Sequence, residues 1–195
     1  MSFPRISFVF TALLLVIGAT ALPSFGLQNA PPAIDNAFVQ KQFGSNCSLI
    51  GVPPVTADLD GDGVEDIVIP ARCSSPMMDQ AENSYLVIDP YDGFFGYGNP
   101  AVTTQFSSED PLRKGYSLLI IHGSGIDAWR SDVPKAKFMV VNLPYRTVVA
   151  KKFAARKRIQ MAIYVNETGA GDDIMSILFW DGKKYRYQPM GGSLD

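Results

Sequence analysis

Short apolar runs separated by turn-forming residues recur along most of this chain and constrain its fold more than any other feature. Each run is rich in β-branched or aromatic side chains and ends near Gly, Pro, Asn or Asp. Such runs are typical of β-strands, because these side chains pack well on a pleated surface. The runs are 67–69, 85–88, 116–121, 138–141, 146–153, 159–165, 174–180 and 184–187. We therefore predict a mainly β fold, an antiparallel sheet or sandwich with one or two short helices.

Local signals add a hairpin and two candidate helices. Asp181-Gly182 stands between two aromatic-rich runs, and Asp-Gly tolerates the positive φ that tight hairpin turns require. Residues 153–158 contain two consecutive alanines, which favour a helical turn. Residues 77–83 are the second helical candidate.

The first residues predict export from a bacterial cell. Arg5 precedes an apolar run over residues 8–22, and Ala19 and Ala21 offer the small side chains of a cleavage site. This is the pattern of a secretory signal peptide. The run is short for a bilayer span, which needs about 20 residues, although an uncleaved anchor stays an alternative. We expect a signal peptide over 1–21 with cleavage at 21 or 26, a flexible lead-in over 22–37, and one β-rich domain over 38–195. The mature chain would be periplasmic or secreted and would have no transmembrane helix.

Composition narrows the classes of partner and the redox state of the cysteines. The chain has 195 residues and a formal charge of −2, whereas nucleic-acid-binding domains are usually strongly basic. We therefore expect no nucleic-acid partner. Cys47 and Cys73 are the two cysteines, and an exported chain meets an oxidising compartment. We predict a Cys47–Cys73 disulfide, with two buried thiols as the alternative.

The segment 58–66 carries the clearest chemical signal. Asp58, Asp60, Asp62 and Asp66 occupy positions 1, 3, 5 and 9 of this segment, and glycines follow Asp60 and Asp62. Calcium takes six to eight oxygen ligands at flexible geometry, and glycine permits the tight turn that lets alternate carboxylates converge. The backbone carbonyl of Val64 would add another oxygen. We predict a Ca²⁺ site here, with an ion-free acidic surface turn as the alternative.

The calcium loop is not an EF-hand. An EF-hand needs a bidentate Glu at position 12, where this chain has Ile69, and the loop continues into a strand rather than a helix. The stretch 58–69, Asp-Leu-Asp-Gly-Asp-Gly-Val-Glu-Asp-Ile-Val-Ile, resembles the FG-GAP and VCBS-type calcium repeats, in a single copy of about 15 residues. The resemblance implies a propeller-blade-like arrangement, with Glu65 directed to solvent. It also implies calcium ligands at Asp58, Asp60, Asp62, Val64 and Asp66.

Two further stretches are candidate binding surfaces. The first, within residues 91–100, holds aromatic residues among glycines that could stack on sugars or contact a protein, or could instead close the end of a sheet. Its members are Tyr91, Phe94, Phe95 and Tyr97. The second is a basic stretch over 135–158. It could bind an anionic partner, or it could form the solvent face of strands.

Catalytic motifs give weaker signals. His122 follows an apolar run and precedes a glycine, as in some hydrolase oxyanion segments, but the chain has one histidine and no Gly-x-Ser-x-Gly elbow. One histidine and two bridged cysteines leave too few ligands for zinc. We therefore expect a calcium-stabilised, non-catalytic, adhesion-type module that binds a protein or a glycan. The alternatives are a small hydrolase using unidentified carboxylates and a structural subunit of an envelope assembly.

Overall fold

A computed structural model describes residues 33–96, 111, 114–155, 158–168 and 174–192. Their helices are α1 (Asn36–Phe43), α2 (Gln80–Asn83) and α3 (Asp92–Phe95), with a 3-10 turn at Ala128–Arg130. Their strands are β1 (Cys47–Leu49), β2 (Val55–Ala57), β3 (Asp66–Cys73), β4 (Leu86–Ile88), β5 (Tyr116–His122), β6 (Ala136–Val141), β7 (Tyr145–Ala155), β8 (Arg158–Glu167), β9 (Ile174–Trp180) and β10 (Tyr185–Gly192). The predicted mainly β fold with short helices is confirmed. No helix within these ranges is long and apolar enough to cross a bilayer.

The strands form two sheets. The first sheet has the order β1-β3-β5-β6-β4. Strand β2 also pairs with β3, along the same edge as β1 but nearer the start of β3. The pairs of this sheet are antiparallel except β4 with β6, which is parallel. The second sheet has the order β10-β9-β8-β7 and is antiparallel throughout.

The first sheet is buried on both faces. Leu118 and Ile120 of β5 pack in a core shared with the second sheet. The alternate residues, Leu119 and Ile121, pack in a second core that includes Phe43 of α1. The described residues therefore form three layers, helix on sheet on sheet. Burial of both faces explains why β5 has a continuous apolar run instead of the alternation of a half-exposed strand.

Helix α1 was not predicted from the sequence. Asp35 caps its first turn by accepting the N–H of Phe38 at 2.8 Å. The helix ends at Phe43 and is followed by Gly44, where φ is +96° and an added Cβ would collide with the Asp79 side chain. Helix α1 begins inside the predicted lead-in over 22–37, whose residues before 33 lie outside the described ranges. Its buried face consists of Val39, Gln42 and Phe43, too few apolar positions for a clear helical period.

One of the two candidate helices is wrong. Residues 80–83 form α2 inside the candidate 77–83, whereas Phe153–Ala155 continue β7 as an extended strand. Phe153 lies opposite Gln160 in β8, and its ring contacts that of Phe179 at 5.3 Å between centroids. These cross-strand contacts override the helical preference of the two alanines.

The predicted hairpin at Asp181-Gly182 is confirmed between β9 and β10. Asp181 Oδ1 accepts the N–H groups of Lys183 and Lys184, each at 2.9 Å, and Gly182 has φ +97°. The aspartate therefore fixes the turn by satisfying its backbone donors, and glycine supplies the positive φ.

The predicted disulfide is also confirmed. Cys47 and Cys73 lie directly opposite each other in the β1–β3 pair and are bonded. Both belong to the core beneath α1. The bridge closes a loop of the chain that contains β2 and the whole segment 58–66.

Candidate metal centre

The acidic loop, residues 58–66, connects β2 to β3. These strands form a hairpin whose last pair is Ala57 with Asp66, so both ends of the loop are held by a β-ladder. Gly61 and Gly63 have φ of +80° and +85°, and neither has a neighbouring atom where a Cβ would stand. The glycines are therefore required for their backbone conformation and not for close packing.

Three of the predicted ligands converge. Asp58, Asp60 and Asp62 each offer a carboxylate oxygen, and these oxygens lie within 4.8 Å of one another. The Asp58 carboxylate accepts the N–H groups of Gly61 at 2.8 Å, Asp62 at 3.1 Å and Gly63 at 3.0 Å. Asp58 therefore fixes the loop backbone in a turn, and this turn places Asp60 and Asp62 on the same side.

Asp66 lies behind the loop and is almost fully buried, with 1% of its surface exposed. Its Oδ2 accepts the N–H of Leu59 and its Oδ1 accepts the N–H of Gly123, both at 2.8 Å. Burial raises the pKa of Asp66 to about 6, although the two backbone donors act in the opposite direction. The ionised carboxylate therefore stays incompletely compensated, and a nearby cation would stabilise it.

Lys135 supplies a cation to the loop from the β5–β6 connection. Its Nζ lies 2.6 Å from Oδ2 of Asp60 and 2.6 Å from Oδ2 of Asp62. These hydrogen bonds raise the pKa of Lys135, and the bond from Lys135 lowers the pKa of Asp62. One ammonium thus pairs with two of the five carboxylates in the loop. Its single positive charge does not balance the carboxylates of Asp58, Asp60 and Asp62.

His122 connects the acidic loop to the second sheet. Its Nδ1 lies 3.2 Å from Oδ2 of Asp60, and its Nε2 lies 2.6 Å from the hydroxyl of Tyr185. Because a carboxylate can only accept, we assign the proton to Nδ1, so that Nε2 accepts from the Tyr185 hydroxyl. Burial lowers the pKa of His122, against the opposing effect of Asp60. The imidazole is therefore a neutral link between the two sheets.

Asp60 is the residue that the two groups of ligand atoms share. Its carboxylate belongs to the set with Asp58 and Asp62, and also to a set with Asp66 and His122 whose ligand atoms lie within 4.8 Å of one another. The Asp60 side chain is 3% exposed, compared with 31% for Asp62. Asp66 therefore lies next to Asp60, on the buried side of the loop.

Glu65 and Val64 also make contacts that hold the loop. Glu65 is partly exposed, but it does more than face solvent: its Oε2 accepts the indole N–H of Trp129 at 3.0 Å and lies 3.5 Å from Arg130. These contacts attach the β5–β6 connection to the acidic loop. The N–H of Val64 donates to Oδ1 of Asp62 at 2.9 Å. This hydrogen bond fixes the backbone of Val64 relative to Asp62.

Sequence spacing identified the loop aspartates but not the residues that surround them. Lys135 is 73 residues from Asp62 along the chain, and no local pattern links the two. His122 was weighed as a hydrolase oxyanion residue and as the end of a buried strand. It does end the buried strand β5, and its contact with Asp60 depends on the β3–β5 pairing. Comparisons with protein-family models, curated proteins and solved structures give no match.

The aromatic segment separates into a buried part and an exposed part. Tyr91 is buried, and its hydroxyl donates to Oε2 of Glu167 at 2.8 Å, as expected if it closes the end of a sheet. Phe94 is 47% exposed. Tyr97 and the side chain of Phe95 lie outside the described residues, so their predicted binding role stays a prediction.

The basic stretch 135–158 is not one surface. Lys135 binds the acidic loop, and Lys137 donates to the backbone carbonyl of Gln42 at 2.8 Å. Lys151 lies on the second sheet, with its Nζ 5.8 Å from the ring centroid of Tyr164. Arg158 begins β8. The stretch therefore divides between the loop, the helix layer and the second sheet.

Proposed function

We propose that the acidic loop binds one Ca²⁺ ion and that the protein is a calcium-stabilised, non-catalytic binding module. The observation that carries the proposal is the convergence of one oxygen each from Asp58, Asp60 and Asp62 within 4.8 Å. The loop ends are fixed by the β2–β3 ladder, so little ordering is needed when the ion binds. The Val64 carbonyl and Asp66 are the further ligands that the FG-GAP-like and VCBS-like spacing implies.

The donor chemistry favours calcium over other divalent ions. The exposed side of the loop offers carboxylate and backbone oxygens, which suit a hard cation that accepts irregular coordination. Mg²⁺ demands near-ideal octahedral geometry and retains its waters. A transition metal would prefer nitrogen ligands, but the only histidine of the chain directs its Nδ1 proton at Asp60. Calcium would add two charges where Lys135 supplies one.

We also propose that the protein is exported and that it is not a hydrolase. An exported, periplasmic or secreted protein meets millimolar calcium, which suits the weak affinity of extracellular calcium modules, with dissociation constants on the order of 10⁻⁴–10⁻³ M. The predicted signal peptide and the disulfide both support this location. Against a hydrolase, the single acid among the described residues that line the groove on the second sheet is Asp181, and Arg186 pairs with it.

Calcium should raise the melting temperature of the purified chain. With dissociation constants in the range above, 10 mM calcium would stabilise the folded state by about 1.4–2.7 kcal/mol. For a domain of this size that corresponds to a shift of roughly 3–10 °C. Thermal melting followed by circular dichroism in calcium, in magnesium and in chelator tests this. Equal melting temperatures in calcium and chelator would reject the proposed site.

A further inference from the structure

A groove of about 960 Å³ crosses the end of the second sheet, away from the acidic loop. It is lined by Phe94 of α3, Phe153 of β7, Arg158 of β8, Phe179 of β9 and Arg186 of β10. The volume is at the upper end of the range for small-ligand sites. The groove therefore brings an exposed member of the aromatic segment together with the last residue of the basic stretch.

The groove walls combine flat apolar surfaces with cations. The rings of Phe153 and Phe179 lie 5.3 Å apart with an interplanar angle of 40°, and both are half-buried. The ring of Phe94 packs edge-on against Tyr187 at 5.7 Å. Arg158 is exposed at the mouth of the groove. A ligand with an apolar ring face and a negatively charged substituent would complement these walls.

The charge of the second sheet also favours a negatively charged ligand. The described parts of this sheet and its turns, 145–155, 158–168 and 174–192, contain seven basic residues and two acids. Of the two acids, Glu167 is buried and Asp181 pairs with Arg186. This surface is therefore positive, although the whole chain has a formal charge of −2. A cationic surface of this kind attracts anionic ligands.

We propose that this groove binds an acidic polysaccharide, with sugar rings on Phe153 and Phe179 and a sugar carboxylate on Arg158. Peptides usually add to a free sheet edge through backbone hydrogen bonds. Here Phe153, Phe179 and Arg186 lie on one face of the sheet, so the groove presents chiefly side chains rather than the free edges of β7 and β10. The exposed amide of Gln188 suits sugar hydroxyls. The inference extends the proposed binding module but does not depend on calcium.

The test is binding of short polygalacturonate oligosaccharides to the purified chain, measured by calorimetry without calcium, because calcium binds the carboxylates of this sugar. Fully methyl-esterified oligosaccharides have the same rings without the charge and should bind at least tenfold more weakly. Arg158→Gln should weaken binding of the acidic form roughly tenfold or more, because a charged hydrogen bond is lost. Phe153→Leu should weaken both forms, because the larger flat face is removed.

Lys152→Gln is the matched control, since Lys152 is an exposed base of β7 that is outside the groove lining. It should change affinity less than twofold. Equal losses for Lys152→Gln and Arg158→Gln would overturn the proposal, as would no binding by the wild type. Polyglutamate binding as tightly as the sugar, with the same dependence on Arg158, would also overturn it. Failure of all calcium effects on melting would reject the metal site while leaving this test intact.

Discussion

Asp60→Asn combined with Asp62→Asn is expected to abolish the calcium-dependent gain in stability, about 1.4–2.7 kcal/mol at 10 mM calcium. Asparagine keeps the size of each side chain but removes two of the three converging charges, and Asp60 is the residue common to both ligand sets. The readout is the difference in melting temperature between calcium and chelator for each protein. Changes that do not involve calcium, such as loss of the Lys135 ion pairs, cancel in that difference.

Lys135→Met is the matched control for the loop variant. It removes the ammonium that lies 2.6 Å from Asp60 and Asp62 but leaves every carboxylate in place. Its calcium-dependent shift should be at least as large as that of the wild type, because calcium no longer competes with an internal cation. A full calcium shift in the double asparagine variant, or none in Lys135→Met, would show that the loop is not the binding site.

The second large effect is expected from the disulfide. Cys47→Ser with Cys73→Ser should lower the free energy of unfolding by about 3.5 kcal/mol, the chain-entropy value for the observed separation of 26 residues. Both positions are also buried, at 2% exposure, so serine adds a polar group to the core under α1. Urea unfolding of the variant and of the oxidised wild type measures the difference.

Reduced wild-type protein is the control for the serine variant, because it lacks the bridge without adding hydroxyl groups to the core. It should unfold at a lower urea concentration than the oxidised protein. The calcium shift should persist in both, since the β2–β3 ladder holds the loop ends independently of the bridge. Identical urea midpoints with and without the bridge would show that it contributes nothing to the folded state.

Local chemistry explains which parts of the fold were predictable. The strands and the β9–β10 hairpin follow from β-branched runs and from Asp181-Gly182, signals that act within a few residues. Helix α1 was missed because its apolar residues Val39 and Phe43 do not form a helical pattern by themselves. Their role is evident only from their packing against the buried face of the first sheet. Residues 153–158 were a candidate helix because of their two alanines, whereas the contact that keeps Phe153 extended is with Phe179 on a different strand. Sheet order and layer packing depend on contacts that no local window contains.

The same division applies to the candidate metal centre. The spacing of Asp58, Asp60 and Asp62 predicted convergence because alternate residues of a tight turn share one side. Their surroundings could not be predicted in this way. His122 reaches Asp60 because β3 and β5 are neighbours, and Tyr185 reaches His122 from the other sheet. The loop is therefore a local motif whose electrostatic setting is determined by the whole fold.

Calorimetric titration of the chelator-treated wild type with calcium tests the metal site most directly. We expect saturable heat for one calcium ion per chain, with a dissociation constant on the order of 10⁻⁴–10⁻³ M, and no such heat for the double asparagine variant. Absence of saturable heat from the wild type up to 10 mM calcium, in protein shown to be folded, would contradict the account.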